Sequence, residues 1–383
     1  MKKILFIIDS LTCGGAEKSI VSLLPLLNQS KYDVYLWLRS NTGAFLPLVP
    51  KWVKLVKQPE YSIFEKFLLF VGQLLYSFAT RWNKLIGKKE HMAETLYKTK
   101  GWAMKVPEGM WDTIIAYQQG IPTYLVAEKF SNCKKICWIN ADIFKAGYNI
   151  EFNSRFYRRF DYINAVSANL RTMLENRIPE FVNKYVMILD ILNPKIIKEL
   201  AQENVSQLNK DDNSLILVTT GRLVPEKGYD IAIEAANYLK KQGLQFRWYF
   251  IGEGGDRDKI TKAIGKFGLS ENVFLLGLKT NPYAYMTQAD IYVQTSKFEG
   301  FGLTIAEAKI LGLPVVSTNF EVVHNQLKQE QNGLIAAMNG ESVAKAIIRL
   351  AKDVDLRQYI VSNVNKETNT TSITEIAKVE QIL

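Results

Sequence analysis

The sequence has 383 residues, which is long for one compact domain and enough for two of roughly 170–200 residues, each able to bury its own core. Its 48% hydrophobic and 22% charged residues are ordinary globular proportions and exclude a largely disordered or low-complexity chain. The net charge of +10 is lopsided: residues 1–190 carry 26 Lys+Arg against 16 Asp+Glu, whereas residues 191–383 carry 22 against 22. The N-terminal half is therefore expected to face something anionic, such as a membrane surface, a phosphate-bearing lipid or a nucleic acid, with a plain solvated basic surface as the alternative.

The apolar run Ile4–Ile8 is only five residues long and meets Asp9 and a glycine pair, so it reads as a first strand rather than a signal peptide. Ala16–Asn28 follows as a helix and Asp33–Leu38 as a strand, with Thr113–Tyr117, Lys135–Ile139 and Tyr162–Val166 as later strands of the same sheet. A segment at about 61–105 interrupts this alternation. It sets Phe64, Phe67, Leu68, Phe70, Leu74, Leu75, Phe78 and Trp82 beside Lys66, Arg81, Lys84, Lys88 and Lys89. Two readings stand: an interfacial helix or helix pair that docks on an anionic membrane, or a segment whose aromatic residues pack on the core. The longest uncharged apolar stretch, Phe67–Thr80, has fourteen residues against the ~20 of a bilayer span, so no transmembrane helix is expected.

Residues 192–214 are polar, contain Asn193-Pro194 and Asp211-Asp212-Asn213, and read as a linker with one short helix. The alternation then restarts: strand Leu215–Thr220, helix Tyr229–Lys241, strand Phe246–Ile251, helix Arg257–Lys266, strands Val273–Leu276 and Ile291–Gln294, helix Leu303–Leu311, strand Pro314–Ser317. The expected organisation is α/β: an N-terminal Rossmann-like domain at 1–192, a linker at 193–213 and a C-terminal Rossmann-like domain at 214–383, with a last helix free to return to the first domain. A ligand cleft is expected where the two domains face each other, because open α/β sheets bind at the C-terminal ends of their strands. The odd number of cysteines, Cys13, Cys133 and Cys137, indicates neither a disulfide framework nor a zinc site and fits a reducing cytosol.

Three segments fall where a strand ends and a helix begins. Thr12-Cys13-Gly14-Gly15-Ala16-Glu17 would let a phosphate approach free N–H groups at the positive end of a helix, or is simply a tight turn. In Gly221-Arg222-Leu223-Val224-Pro225-Glu226-Lys227-Gly228, two cations could converge on one diphosphate, Arg222 as a bidentate fork and Lys227 as a point charge; a solvated loop is the alternative. In Ser296 to Ala308, Glu299 lies in a glycine-rich turn and Glu307 about a turn into the next helix, so the carboxylates mark two places where hydroxyl pairs of a sugar or ribose could be held. Gly300 and Gly302 leave the N–H groups around Phe301 and Leu303 free.

These segments, together with Gly252-Glu253-Gly254, Ala289-Asp290 and Leu313 to Thr318, resemble the family 4 glycosyltransferases of the GT-B fold, of the bacterial surface-polysaccharide type. The resemblance spans nearly the whole chain in order and is most specific in the C-terminal half. It implies that Arg222 and Lys227 hold the donor diphosphate, with Gly15, Gly221, Gly252, Glu253, Gly300 and Leu303 around the donor. It further implies Glu307 on the ribose and Glu299, Phe301 and Gly302 on the transferred sugar. The implied catalytic residues are Arg222, Lys227 and Glu299, the reaction a metal-independent retaining transfer of a hexosyl unit from a nucleotide-sugar, UDP-sugar by preference. No cofactor is implied. The implied acceptor is a lipid-linked saccharide bound by the N-terminal domain, with the nucleotide-sugar on the C-terminal domain, at the cytoplasmic face of the cell membrane. Where relatives carry a histidine in Trp-x-His-x-Asp, this chain reads Trp138-Ile139-Asn140-Ala141-Asp142; Asn140 and Asp142 remain sugar contacts, but Asn140 cannot titrate.

Other readings are weaker. Asp256-Arg257-Asp258 matches a short metal-binding signature but opens a helix, where acidic residues are favoured structurally. Gly252-Glu253-Gly254 would need its third glycine where Arg257 stands, against a nicotinamide site. A nucleotide-sugar epimerase or phosphorylase of the same architecture would not make the same products, and a non-enzymatic basic membrane-binding protein would leave the C-terminal motifs unexplained.

Overall fold

The computed structural model describes every residue except 13, 89, 207, 209–213, 300, 368 and 369. Cys13, Lys89, Asp211-Asp212-Asn213 and the expected donor contact Gly300 therefore lie outside the described residues. The chain divides into two compact units, Met1–Ile191 with Thr374–Leu383, and Leu192–Ile373.

Unit 1 runs β1 (Lys2–Ile8), α1 (Gly15–Leu23), β2 (Tyr32–Leu38), β3 (Lys54–Leu55), α2 (Ile63–Leu85), α3 (Met92–Lys100), β4 (Thr113–Ala116), α4 (Ile121–Lys129), β5 (Lys134–Ile139), α5 (Ile150–Tyr157), β6 (Tyr162–Ala165), α6 (Ala168–Arg177) and β7 (Tyr185–Met187). The strands form one sheet in the order β3-β2-β1-β4-β5-β6-β7, all pairs parallel. Ile4–Ile8 and Ile114–Ala116 are fully buried, the near-continuous apolar runs of strands covered on both faces. The first helix stops earlier than its apolar pattern predicts, at Leu23, because Pro25 has no N–H to continue it; Leu24–Leu26 closes as a 3₁₀ turn.

The insertion resolves into two helices of opposite character. In α3, Glu94, Thr95 and Tyr97 are buried; Tyr97 donates to Glu128 at 2.6 Å, and Glu94 accepts from Asn149 N–H and Asn153 Nδ2, both at 2.7 Å. In α2 the only buried residue is Gly72, where the backbone of Lys100 comes so close that a Cβ would lie 3.1 Å from its Cα. The helix starts with a reciprocal cap between Ser62 and Glu65, and Lys105 beside Glu65 holds that carboxyl down to about 2. Its outer face is apolar and open, with Phe64, Phe67, Phe70, Leu74, Phe78 and Trp82 each more than half exposed. The aromatic residues do not pack on the core.

The length of this helix, rather than the expectation that none crosses a membrane, needs correcting. The helix extends past the uncharged stretch to 23 residues, about 34 Å at 1.5 Å per residue, and is long and apolar enough by composition to cross a bilayer. Both of its ends, however, are tied into one fold: β3 pairs with β2 before it, and α3, pinned to α5, follows it.

Unit 2 runs α7 (Pro194–Ala201), β8 (Leu215–Thr220), α8 (Tyr229–Lys241), β9 (Phe246–Ile251), α9 (Arg257–Lys266), β10 (Val273–Gly277), α10 (Tyr283–Met286), β11 (Ile291–Gln294), α11 (Leu303–Ile310), β12 (Val315–Thr318), β13 (Leu334–Ala336), α12 (Gly340–Lys352) and α13 (Val354–Glu367). Its sheet is parallel, in the order β10-β9-β8-β11-β12-β13. The first part of the expected linker is core: Asn193 caps α7, Pro194 sits at its first position, and Leu192, Ile197 and Leu208 join the apolar cluster of this unit. The last helix, α14 (Thr370–Ile382), returns to unit 1 from Thr374 on, where Val379, Ile382 and Leu383 are buried in its core.

Candidate donor site and its relatives

A doubly wound sheet binds ligands where its strand order reverses, outside the C-terminal ends of the two strands flanking that point. In unit 2 those strands are β8 and β11. Gly221-Arg222 follows the first directly, and Thr295 to Glu299 follows the second. The two loops hold each other: Lys297 N–H donates to Glu226 O at 2.8 Å, and Thr295 Oγ1 donates to Lys227 O at 3.1 Å. Between them lies Gly228, in the left-handed region at φ 64°, where an added Cβ would fall 2.0 Å from Thr295 O. No side chain fits there without parting the loops.

That clamp sets the charges. Lys227 Nζ lies 2.7 and 2.8 Å from the two oxygens of Glu299, with both side chains mostly buried, at 19% and 11% exposure. Glu299 Oε1 also accepts from Ser296 Oγ and Gln294 Nε2, both at 2.6 Å. The buried Gln294 in turn accepts from Tyr292 OH at 2.6 Å and Thr304 Oγ1 at 3.0 Å, which ties β11 to α11. Arg222 is exposed and makes no ion pair among the described residues, so the two expected cations are not already convergent: one is locked to a carboxylate, the other open to solvent. Lys227 is thus fixed in place by its carboxylate partner, whereas Arg222 would have to turn toward an anion to bind one.

The remaining expected donor contacts differ in accessibility. Gly302 is the N-cap of α11 and Leu303 its first residue; the carbonyls of Phe301 and Gly302 both accept from Gln326 Nε2. Gly252 follows β9 directly, where a Cβ would lie 1.9 Å from Gly221 O, and the exposed Glu253 pairs with Arg257. Glu307 is fully buried and accepts from Tyr283 OH at 2.9 Å, which makes it the least accessible of the expected contacts. Gln294, Tyr283 and Gln326 were not singled out from the sequence. Gln326 lies twenty-odd residues beyond the turn it fastens, with no local pattern to mark it.

In unit 1, Gly15 begins α1 and is exposed. Asn140 Nδ2 donates to Tyr117 O at 2.9 Å and its N–H to Gln119 Oε1 at 3.0 Å, while its buried Oδ1 has no hydrogen-bond partner among the described residues. Asp142 Oδ1 accepts from the N–H groups of Phe144 and Lys145 and so closes the following turn, a structural duty that its sugar-contact assignment had not anticipated. Nearby in the hydrogen-bond network, Tyr117 OH meets Ser19 Oγ at 2.9 Å, and burial pushes the Asp190 carboxyl up to about 7 even though Ser19 bonds to it.

Residues 201–367 match the family described as "Glycosyl transferases group 1". The chain is 25% identical over 364 residues to an N-acetylgalactosamine-N,N'-diacetylbacillosaminyl-diphospho-undecaprenol 4-alpha-N-acetylgalactosaminyltransferase of Campylobacter jejuni, covering 94% of this chain and 92% of that one. The family match falls within unit 2, the part of the chain that holds the clamped Lys227–Glu299 pair. It is also 28% identical over 235 residues to a poly(ribitol-phosphate) alpha-N-acetylglucosaminyltransferase of Staphylococcus aureus, over 57% of this chain and 47% of the relative; the matches span about half the length of the first such relatives. In fold, the chain superposes on Anabaena HepE, solved in complex with UDP-glucose, with a TM-score of 0.72 at 19% identity over the full length of both chains. The GT-B architecture is thereby established.

Proposed function

We propose that the protein is a retaining, metal-independent glycosyltransferase that moves a hexosyl unit from a UDP-sugar to a lipid-linked saccharide in surface polysaccharide biosynthesis. The observation that carries this is the Lys227–Glu299 pair, clamped at the strand-order reversal of unit 2 with Arg222 open beside the same strand end. The acceptor oxygen forms a bond to the anomeric carbon on the face from which the diphosphate oxygen departs, and the acceptor's hydroxyl proton passes to that oxygen. Lys227 and Arg222 take up the developing charge, so the protein contributes positioning and electrostatics rather than a nucleophile. The UDP-glucose complex of a structural neighbour and the diphospho-undecaprenol in the name of a relative support the choice of donor and acceptor class.

Helix α2 supplies the membrane contact in this reading. Its open apolar face, with Lys66, Arg81 and Lys84 on the same helix, suits a helix lying in the headgroup plane of an anionic bilayer at the cytoplasmic face of the membrane. Both parts can be tested together. Purified protein is incubated with UDP- and GDP-sugars and a chelator, with and without a membrane lipid extract, beside Glu307→Ala, and sedimented with anionic or neutral vesicles beside a Phe67→Ser/Phe78→Ser variant. Release of UDP that needs the extract, with anionic-vesicle binding lost in the double variant, supports the reading. Donor consumption without an acceptor would point to an epimerase or phosphorylase, and turnover that ignores vesicles removes the docking role.

A further inference from the structure

Sheet order in unit 1 reverses between β1 and β4, the counterpart of the position that holds Lys227 and Glu299 in unit 2. Asp9 follows β1 directly; its N–H donates to Gln118 Oε1 at 3.3 Å, and its Oδ1 accepts from Arg39 Nε at 2.7 Å, leaving its second oxygen outside that bond. The loop after β4 ends at Gly120, the N-cap of α4, with φ 91°. A Cβ there would lie 3.1 Å from Ala93 Cβ and 3.2 Å from Tyr148 Oη, so Gly120 makes room for two segments distant in sequence. One is the start of α3, from the insertion; the other is the loop after β5.

They meet as a stacked pair. The rings of His91 and Tyr148 lie 3.7 Å apart, 21° from parallel. His91 Nδ1 accepts from Ala93 N–H at 3.2 Å, which places the proton of the neutral imidazole on Nε2 and makes that atom a donor. Burial lowers the His91 pKa, which favours this neutral form. Burial first, and then the charges of Asp9 and Glu94, raise the Tyr148 phenol, which keeps it a hydroxyl. The pair is held rigidly, because Glu94, three residues along α3, is bonded to Asn149 N–H, the residue after Tyr148.

We propose that His91, Tyr148 and Asp9 form the subsite for the acceptor sugar, a hydroxylated pyranose. Neighbouring ring hydroxyls each need a donor and an acceptor; His91 Nε2 donates, the second oxygen of Asp9 accepts, and Tyr148 OH does either. This deepens the transferase reading and rests on it. The insertion thereby gains a second role, because α3 brings a histidine to the strand-end rim from outside the Trp138–Asp142 segment.

The sequence contains two histidines, and the other, His324, belongs to unit 2 and bonds to Asn319. Protein labelled with NMR-active nitrogen in histidine is titrated with p-nitrophenyl hexosides and N-acetylhexosaminides. The expected result is a saturable shift of the His91 ring signals, with those of His324 static. In kinetic assays with lipid extract as acceptor, His91→Asn, which keeps a good cap residue, and Tyr148→Phe are expected to raise the acceptor KM about tenfold with the donor KM unchanged, the loss of one hydrogen bond to substrate. Static His91 signals with every glycoside, or an acceptor KM unmoved in both variants, overturns the proposal. Absence of donor turnover and of nucleotide binding in the wild type would instead sink the transferase reading, while the titration still reports on the saccharide site.

Discussion

The strand-end rims of the two units share one topology and differ in how their polar groups are satisfied. In unit 2, Lys227, Glu299, Gln294, Ser296, Thr304 and Tyr292 satisfy one another in a closed network. In unit 1, Trp138 Nε1, Asn140 Oδ1, Asp142 Oδ2, Asp190 Oδ1 and Glu94 Oε2 are buried, and the fold supplies none of them with a hydrogen-bond partner; among the described residues, all atoms of this kind belong to unit 1. A buried polar group left in that condition costs about 1–3 kcal/mol. The half expected to hold a constant donor is thus preorganised, and the half expected to meet the variable acceptor keeps unspent hydrogen-bonding capacity.

The largest effect should follow from breaking the preorganised side. Lys227→Ala is expected to lower kcat/KM by about a hundredfold or more, the usual weight of a fixed charge facing a leaving group. Its melting temperature should also fall by a few degrees, because the mostly buried Glu299 carboxylate is left without its cation. Full activity in that variant would reduce the network to scaffolding. Next, Gly228→Ala forces a Cβ into Thr295 O and a left-handed backbone onto alanine, and should destabilise unit 2 by about 2 kcal/mol or more in denaturant unfolding. An unchanged midpoint would show that the two loops separate easily, contrary to a rigid donor rim.

The smallest effect sharpens the other side of the comparison. Asp190 has its pKa raised from 3.8 to about 7 by burial, so between those values the native state holds a proton that the unfolded chain has released. Wild-type stability must then fall as pH rises through that window, being fully present below about pH 4. Asp190→Asn carries no such proton and should melt higher than wild type, by a few degrees, at about pH 8, with the gain shrinking toward about pH 4. Parallel melting curves across that range would mean that Asp190 is already ionised and partnered.

Much of this was legible in the sequence, for identifiable reasons. Strands buried on both faces write continuous apolar runs, so β1, β8, β9 and β11 stand out, and Gly221 to Gly228 advertises its loop through glycines and cations held at a strand end. What the sequence hid is whatever depends on distant partners. The apolar residues of α2 are the same letters whether they face a core or solvent. Tyr283 against Glu307, Gln326 against Phe301 and His91 against Tyr148 are joined only by the fold. Asn140 and Asp142 read as sugar contacts because a motif named them, while their bonds to Tyr117 O and to the N–H groups of Phe144 and Lys145 are invisible in one dimension.

The return of α14 has a consequence for biogenesis. Thr113 Oγ1 and Lys2 Nζ both donate to the carbonyl of Leu383, and Leu189 N–H donates to Glu375. The first unit to leave the ribosome is therefore completed by residues translated after the whole of the second. Domains usually fold as units in order of synthesis. Here the earlier one waits with an apolar groove open where Val379, Ile382 and Leu383 will lie, and during that interval a chaperone would have its clearest target on the nascent chain.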